Sequence, residues 1–401
     1  MRIVADLQLH SKYALATSKD MDLEHMAAGA LRKGLNLLGT GDFTHPKWFE
    51  QLKTKLRPAD GEGLFAFGGM TWMLTGEVST VYTQEGKSRK VHHLVYSPDF
   101  DCLSQIIDLL SKFGRLSSDG RPVLKGIDSP GLVEALTGIS PSVYVIPAHA
   151  WTPWFGVFGA KSGFDSLREC YQDQARKIFA IETGLSSDPP MNWRLSALDG
   201  VSLVSNSDAH SPNPWRLGRE ANVFDLERPS YRGVFDAIRQ RDPSRFLYTI
   251  EVDPAYGKYH FTGHRKCGVS LEPKEALLRG ACPVCGKKLT AGVAQRVEQL
   301  ADRPEGFVLP GAIPFRRLLP LYELISFATG VNRLYVKAVI KEQDKLISAF
   351  GSELGVLLDA SCETLSSVTK APIADAIIAM REGRMRFKPG YDGVYGVPKF
   401  I

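Results

Sequence analysis

Short apolar runs, most of them closed by a residue able to bind metal or move a proton, recur through the first 250 residues and constrain the fold more than any other feature. Ile3 to Leu7 carries Asp6 and leads to His10, and Leu35 to Leu38 leads into Gly39-Thr40-Gly41-Asp42-Phe43-Thr44-His45-Pro46. Val143–Ile146 runs on to His149, Ile178–Ile181 to Glu182, and Val201–Leu203 to Asp208 and His210. Val91–Tyr96 departs from the pattern, with His92 and His93 near its start. Such runs read as strands. Leu23 to Lys33, ended by Gly34, reads as a helix, as do Cys102–Phe113 and Ser166–Arg176. Strands alternating with helices predict an α/β fold with a largely parallel sheet. In a closed barrel the strand ends share one mouth, so residues distant in sequence surround one site. An open sheet gathers them less completely, and the barrel is the expectation.

The candidate ligands in chain order are Asp6, His10, Asp42, His45, Glu77, His92, His93, His149, Glu182, Asp208 and His210. Six of the nine histidines fall in this set, more than packing alone requires. Imidazoles mixed with carboxylates suit divalent ions such as zinc or manganese. A carboxylate such as Glu77 is placed to bridge two ions, which together activate water and neutralise a leaving group, the usual solution for phosphodiester hydrolysis. If the strand alternates, one of His92 and His93 faces away from the other.

With 401 residues the chain exceeds one ordinary core, so a large domain with smaller additions is expected. No apolar run approaches the ~20 residues that cross a bilayer, and Met1-Arg2-Ile3-Val4-Ala5-Asp6 lacks the apolar core of a leader. A cytoplasmic protein with no membrane partner is expected. Cysteine usage agrees: Cys102, Cys170 and Cys362 stand apart while Cys267, Cys282 and Cys285 cluster, as for one metal site and not a disulfide framework. The net charge of +5 lies wholly beyond residue 250. A basic half after a neutral one suits a polyanion held against an active site, and equally a merely solvated surface.

The chain divides on texture into 1–250, 251–295 and 296–401. The middle segment holds His264-x2-Cys267 and Cys282-x2-Cys285, two chelating turns spaced for a tetrahedral structural zinc, with His260 competing for the fourth place. Around it, Lys258, Arg265, Lys266, Lys287, Lys288 and Arg296 are candidate phosphate contacts. The last segment reads as helical, with apolar residues at helical spacing over Pro314 to Phe327 and Thr369 to Arg381, and as a glycine-rich loop over Phe387 to Gly396.

Several of these motifs together carry a resemblance. Asp6-Leu7-Gln8-Leu9-His10, Gly39 to Pro46, Gly76-Glu77, His92-His93, Pro147-Ala148-His149 and Asp208-Ala209-His210 resemble the polymerase and histidinol phosphatase (PHP) family of metal-dependent hydrolases. Thr17-Ser18-Lys19-Asp20, Gly41 to Trp48, His149 to Phe155, Glu182 to Ser186, the cysteine module and Gly390 to Gly393 narrow this, over nearly the whole chain, to the endonuclease Q group. The resemblance implies a distorted (β/α)7 PHP barrel with a small zinc-binding domain and a C-terminal helical region. It also implies cleavage of DNA on the 5′ side of a deaminated base (hypoxanthine, uracil, xanthine) or an abasic site by metal-activated water, using zinc, manganese or magnesium. By the same resemblance the first metal is held by Gln8, His10, Glu77 and Asp208, the second by Glu77, His92 or His93, and His149, and the third by His210 with His45 or Asp42. Glu77, His149, Asp208 and His210 are the expected catalytic set. One departure stands out: the family opening is Asp-x-His-x-His, and Gln8 occupies the middle position. An amide oxygen is a poorer ligand than imidazole for a transition metal, so weakened turnover is expected.

An enzyme that inspects a base must take it out of the stack, which calls for an apolar wedge and phosphate contacts. Trp151, Trp154, Phe155 and Phe158 follow directly on His149 and are candidate wedges or simple packing. Arg316, Arg317, Arg381, Arg384, Arg386 and Lys388 join Lys266 as candidate phosphate contacts. No clamp partner from replication or repair can be named from the sequence. Two rivals stay open: a phosphomonoesterase acting on a small metabolite, and a DNA-binding protein with a defective metal site.

Overall fold

The computed structural model describes residues 1–331, 333 and 335–400. The main elements of its first part are β1 (Arg2–Asp6), α1 (Leu23–Lys33), β2 (Leu37–Gly39), α2 (Pro46–Lys55), β3 (Met70–Gln84), β4 (Lys87–Ser97), α3 (Phe100–Leu110), α4 (Ser129–Ile139), β5 (Tyr144–Pro147), β6 (Ala180–Glu182), β7 (Ser202–Val204), β8 (Ala221–Asp225), α5 (Tyr231–Gln240) and β9 (Phe246–Glu251). Helix α1 spans the stretch expected from sequence. Asp22 caps it by accepting the His25 amide, and Gly34, at φ 98°, closes it by donating to Ala30 and Leu31.

The sheet is mixed, not largely parallel. β1 runs parallel to β2 and β2 to β3, but β1 is antiparallel to β8, β3 to β4, β4 to β5, and β8 to β9. The physical reason is clearest at β3 and β4, which are joined by a two-residue turn at Glu85 and Gly86 with φ 51° and 74°. A connection that short permits only a hairpin. β6 and β7 pair parallel with each other beside this sheet. Bonds that tie them in include the Ala150 amide to the Glu182 carbonyl at 2.9 Å and the Ser205 amide to Asn222 Oδ1 at 3.0 Å.

Alternation along β1 splits the core. Ile3, Ala5 and Leu7 face one cluster with Met73, Leu94, Ile146, Ala180, Val204 and Phe224, while Val4 joins the larger cluster with Leu38, Trp72, Val95 and Ile181. Each strand thus contributes one face to a shared interior and the other to surrounding helices.

Beyond 250 the chain forms β10 (Thr262–His264), β11 (Val269–Leu271), α6 (Pro273–Leu278), α7 (Val293–Leu300), β12 (Phe315–Arg317), α8 (Leu321–Ala328), α9 (Lys337–Phe350), α10 (Ala371–Arg381), β13 (Met385–Lys388) and β14 (Val397–Phe400), with short helical turns between some of them. Two expectations are corrected here. The helical reading of Pro314 to Phe327 holds only from Leu321; Phe315–Arg317 is extended because it pairs parallel with β9 in the main sheet. The loop reading of Phe387 to Gly396 loses Phe387 and Lys388, which pair with Pro398 and Val397. α1 is tied to the helical region by a buried ion pair, Lys33 Nζ to Glu353 Oε1 at 2.7 Å. Glu353 also accepts the Leu321 amide and Gln343 Nε2, so no lone buried charge results. Among the described residues no helix is long and apolar enough to cross a membrane.

Candidate metal centre

Glu77 is the hub. It sits in the middle of β3 opposite Leu94, which aims its buried carboxylate at the loops following β1, β5 and β7. On one side Oε2 accepts Gln8 Nε2 at 2.8 Å and lies 3.2 Å from His10 Nε2. On the other, Oε1 lies 2.5 Å from His92 Nδ1 and 3.5 Å from His149 Nε2. His10 Nε2 is in turn 3.1 Å from Asp208 Oδ1, and the His210 ring lies 4.6 Å from that of His10. Two groups with convergent ligand atoms result, His10 with Asp208 and His210, and Glu77 with His92 and His149.

The charges explain each other. Burial alone raises the Glu77 carboxyl, but the charges of His92 and Arg121 and the hydrogen bonds of His10 and His149 hold it well below the usual range. Asp208 is likewise held low against burial, by its bond to His10 and by the charges of His10 and His210. Against the same opposing burial, Asp42 and the hydrogen bonds of Asp208 and Glu77 raise His10 well above an ordinary imidazole. Burial lowers His92 to about 4. A divalent cation bound among these groups would replace the imidazole protons as the positive partner of Glu77 and Asp208. The donor set also passes a test of fit: Gln8 Oε1 is buried with no partner, and His10 Nε2, Glu77 Oε1 and Asp208 Oδ1 are buried and crowd against other members of the constellation without full hydrogen-bond geometry.

The backbone is strained where ligands are presented. Asp42, His149 and Asp208 have φ of 48°, 30° and 48°, left-handed conformations that cost on the order of 1–3 kcal/mol each outside glycine. Gly184 makes room beside one of them, since a Cβ there would meet His149 Cβ at 2.7 Å.

Other expected ligands fall outside the two groups. Asp42 stands behind His10, taking its Nδ1 at 2.8 Å and the Ser11 amide and hydroxyl. Glu182 accepts the His149 amide at 2.6 Å and Asn206 Nδ2 at 2.8 Å, and burial pushes it up to about 8. Asp6 accepts the Ser207 and Gly218 amides. All three accept backbone amides in loops that carry candidate ligands. His45 stacks on Tyr13 at 4.5 Å and leaves Nδ1 buried without a hydrogen-bond partner; among the described residues neither it nor Asp42 joins His210 in a convergent group. His93 is a correction: strand alternation turns it to the opposite face of β4, where it meets Thr80, Ser129 and the Tyr171 hydroxyl. Arg121, which the sequence reading passed over, brings Nη1 to 3.8 Å from Glu77.

In the cysteine module His264, Cys267, Cys282 and Cys285 converge, with His264 Nδ1 3.4 Å from Cys285 Sγ. His260 lies elsewhere, half-buried against Phe261. The module's own core is only Leu271, Ala276, Cys282 and Leu289.

The candidate DNA contacts divide sharply. Trp154 is 48% exposed, whereas Trp151 is 1% exposed with its indole nitrogen bonded to Asn192, and Phe158 is equally buried; both are packing. Phe155 is half-buried and lies over His92, ring centres 4.2 Å apart. Lys266, Arg316, Arg384, Arg386 and Lys388 are exposed, Arg316 over Tyr248 and Arg384 paired with Glu382. Arg317, exposed like Arg316, is engaged by Asp188 and Asp253, Arg296 by Asp165, and Arg381 by three backbone carbonyls.

Comparisons with known proteins agree over the full length. The lesion-specific endonuclease PfuEndoQ of Pyrococcus furiosus superposes with a TM-score of 0.90 at 34% identity, covering 100% of this chain and 96% of that one. An endonuclease Q in complex with a 27-mer duplex substrate bearing an abasic lesion at the active site gives 0.87 at 33% identity, covering 100% and 97%. YqxK of Bacillus subtilis (strain 168) is 30% identical over 412 aligned positions, 98% of each chain. MJ0043 of Methanocaldococcus jannaschii is 32% identical over 63% of this chain, a match spanning 31% of that longer protein, and residues 320–384 fit the family model described as the MJ0043 C-terminal domain. On full-length sequence and structural similarity alike, the chain belongs to the endonuclease Q family, of PHP fold.

Proposed function

We propose that the protein is a metal-dependent endodeoxyribonuclease of DNA repair that nicks on the 5′ side of a deaminated base (hypoxanthine, uracil or xanthine) or an abasic site. The observation that carries this reading is a cavity of about 860 Å³ set against the ligand groups. His149 and Asp208 form part of its wall, and Trp154, Tyr256, Tyr259 and Tyr322 line it further out. A nucleotide turned out of a duplex fits a space of this size and brings its 5′ phosphate to the ligands. The solved relatives, described as a lesion-specific endonuclease and as a complex with abasic duplex, support the same substrate class.

His10, Asp208 and His210 would hold one divalent cation and Glu77, His92 and His149 another, zinc, manganese and magnesium being the candidates for this oxygen and nitrogen set. Bound there, such ions supply Lewis acidity that makes water a stronger nucleophile and offsets charge on the departing oxygen. The chain's own contribution is placement. Asp42 fixes the ring of His10, Glu182 and Asn206 fix the turn at His149, and the aromatic wall replaces water around the displaced nucleotide. Exposed Trp154 is the wedge in this reading, and Lys266, Arg316, Arg384, Arg386 and Lys388 meet backbone phosphates.

Two architectural readings accompany it. The shared interior built from alternate residues of β1 to β8 supports a distorted (β/α)7 barrel completed by β6 and β7. The four converging side chains at 264–285, with so small a core, support a structural zinc. The test is incubation with manganese or magnesium of end-labelled duplexes carrying deoxyinosine, an abasic site or no lesion, beside a small phosphate ester. Nicking confined to the lesion strand, leaving a 3′-hydroxyl and a 5′-phosphate, is expected. Ester turnover without nicking, or release of a free base before scission, would overturn the reading.

A further inference from the structure

The loop between α3 and α4 carries a cation whose charge reaches Glu77 but whose hydrogen-bond donors none of the roles above uses. The Arg121 side chain is 26% exposed, with Nη1 3.8 Å from Glu77 Oε1, and its charge also feels Asp208, Asp119 and Asp42. Among the described residues its guanidinium makes no hydrogen bond, although the group has five donors.

The loop is built to hold it there. Asp119 Oδ1 accepts the Leu15 amide at 3.0 Å and the Arg121 amide at 3.3 Å, and the Gly120 amide donates to Tyr13 at 3.0 Å. On the other side the Pro122 carbonyl takes the Ser79 amide at 2.9 Å, two residues from Glu77. A Cβ at Gly120 would lie 2.3 Å from Asp42 Oδ2, so only glycine lets the loop come this close to the cluster. Its charge helps hold the Glu77 carboxylate, but at 3.8 Å no guanidinium donor is committed to that group, whose nearer contacts are His92 at 2.5 Å, Gln8 at 2.8 Å and His10 at 3.2 Å. A pinned, partly exposed guanidinium with free donors, facing a phosphodiester site, has the fork geometry that phosphate oxygens accept.

We propose that Arg121 binds a non-bridging oxygen of the scissile phosphate; this rests on the nuclease reading and adds a specific contact to it. In the step, a water oxygen forms the new bond to phosphorus and gives up a proton. The bond to the 3′ oxygen of the preceding nucleotide breaks, and that oxygen takes a proton. Arg121 neither gains nor loses one; its bond strengthens as charge accumulates on the non-bridging oxygen.

The test is a cycle on the full-length protein with Arg121→Gln and Arg121→Lys. Lesion duplexes carry either a normal phosphate or a neutral methylphosphonate at the scissile linkage. Binding is measured in EDTA and nicking in manganese. Neutralising the linkage should weaken wild-type binding roughly 10- to 100-fold, the scale of a charge-assisted contact, and should cost Arg121→Gln almost nothing further. Nicking by Arg121→Gln should fall at least as far, with Arg121→Lys restoring only part for want of the fork. Additive losses in the cycle, or unchanged nicking by Arg121→Gln, would overturn the assignment, as would full recovery by lysine, which points to mere charge balance. A wild type that nicks no lesion duplex removes the nuclease reading itself, whereas an active wild type matched by Arg121→Gln removes only this proposal.

Discussion

Replacing Gln8 with histidine should strengthen cation binding and raise the nicking rate. The Gln8 amide spends a hydrogen bond on Glu77 Oε2 at 2.8 Å, so an oxygen facing His10 is partly occupied. Its own carbonyl, Oε1, is buried with no partner, a defect that costs about 1–3 kcal/mol. An imidazole there removes the orphaned carbonyl and frees Glu77 Oε2. It also offers a neutral ring nitrogen, the better donor for zinc or manganese. Changes of this kind next to a metal ligand alter affinity by roughly 10- to 100-fold, or about 1.4–2.8 kcal/mol. Calorimetric titration with manganese, metal content after dialysis, and nicking of a deoxyinosine duplex read the effect together. Equal affinity and equal rate in the two proteins would refute the reasoning. A Gln8→Ala variant that gains as much as Gln8→His would show that relief of the buried carbonyl, not the new ligand, was responsible.

The remaining expectations are shorter. Glu353→Met strands the Lys33 ammonium in the core, which should cost about 3–5 kcal/mol and lower the melting temperature by several degrees in a thermal scan; an unchanged midpoint argues that the helical region is not held by this pair. Cys282→Ser should cost the protein one equivalent of zinc and, because the local core is four residues, the protease resistance of the 251–295 segment as well. Retention of both would count against a structural zinc. Trp154→Ala should slow lesion cleavage roughly tenfold, the scale of one base–aromatic stack, while Trp151→Ala should act on folding stability instead; comparable melting curves with swapped activities would reverse the assignment.

How much of this was legible depends on the range of the interactions that decide each residue. Helix α1 could be read from its ends, because Asp22 and Gly34 act within one turn. The relation of His92 to His93 could be read as an alternative, since period-two alternation separates neighbours, but which one faces Glu77 depends on the pairing of β3 with β4. The strand at Phe315–Arg317 could not be read at all, because its extended form comes from β9, more than sixty positions earlier. Trp151 and Trp154 are chemically alike and three apart; the first is buried in the main core, against Phe158 and bonded to Asn192 from the turn after β6, while the second is exposed.

The candidate site follows the same division. Its ligands stood out in sequence because buried histidines and carboxylates are costly unless something pays for them, so their recurrence after apolar runs is itself a signal. Their surroundings gave none: Asp42 and Glu182 stand among the candidate ligands in sequence, and which amides their oxygens meet is decided by residues some thirty positions away. Arg121 lies at the far limit. Ser117-Ser118-Asp119-Gly120-Arg121 has the composition of any exposed turn, and only Gly120 pressed against Asp42, with the anchors at Tyr13, Leu15 and Ser79, turns an ordinary loop arginine into a cation held beside the candidate ligands.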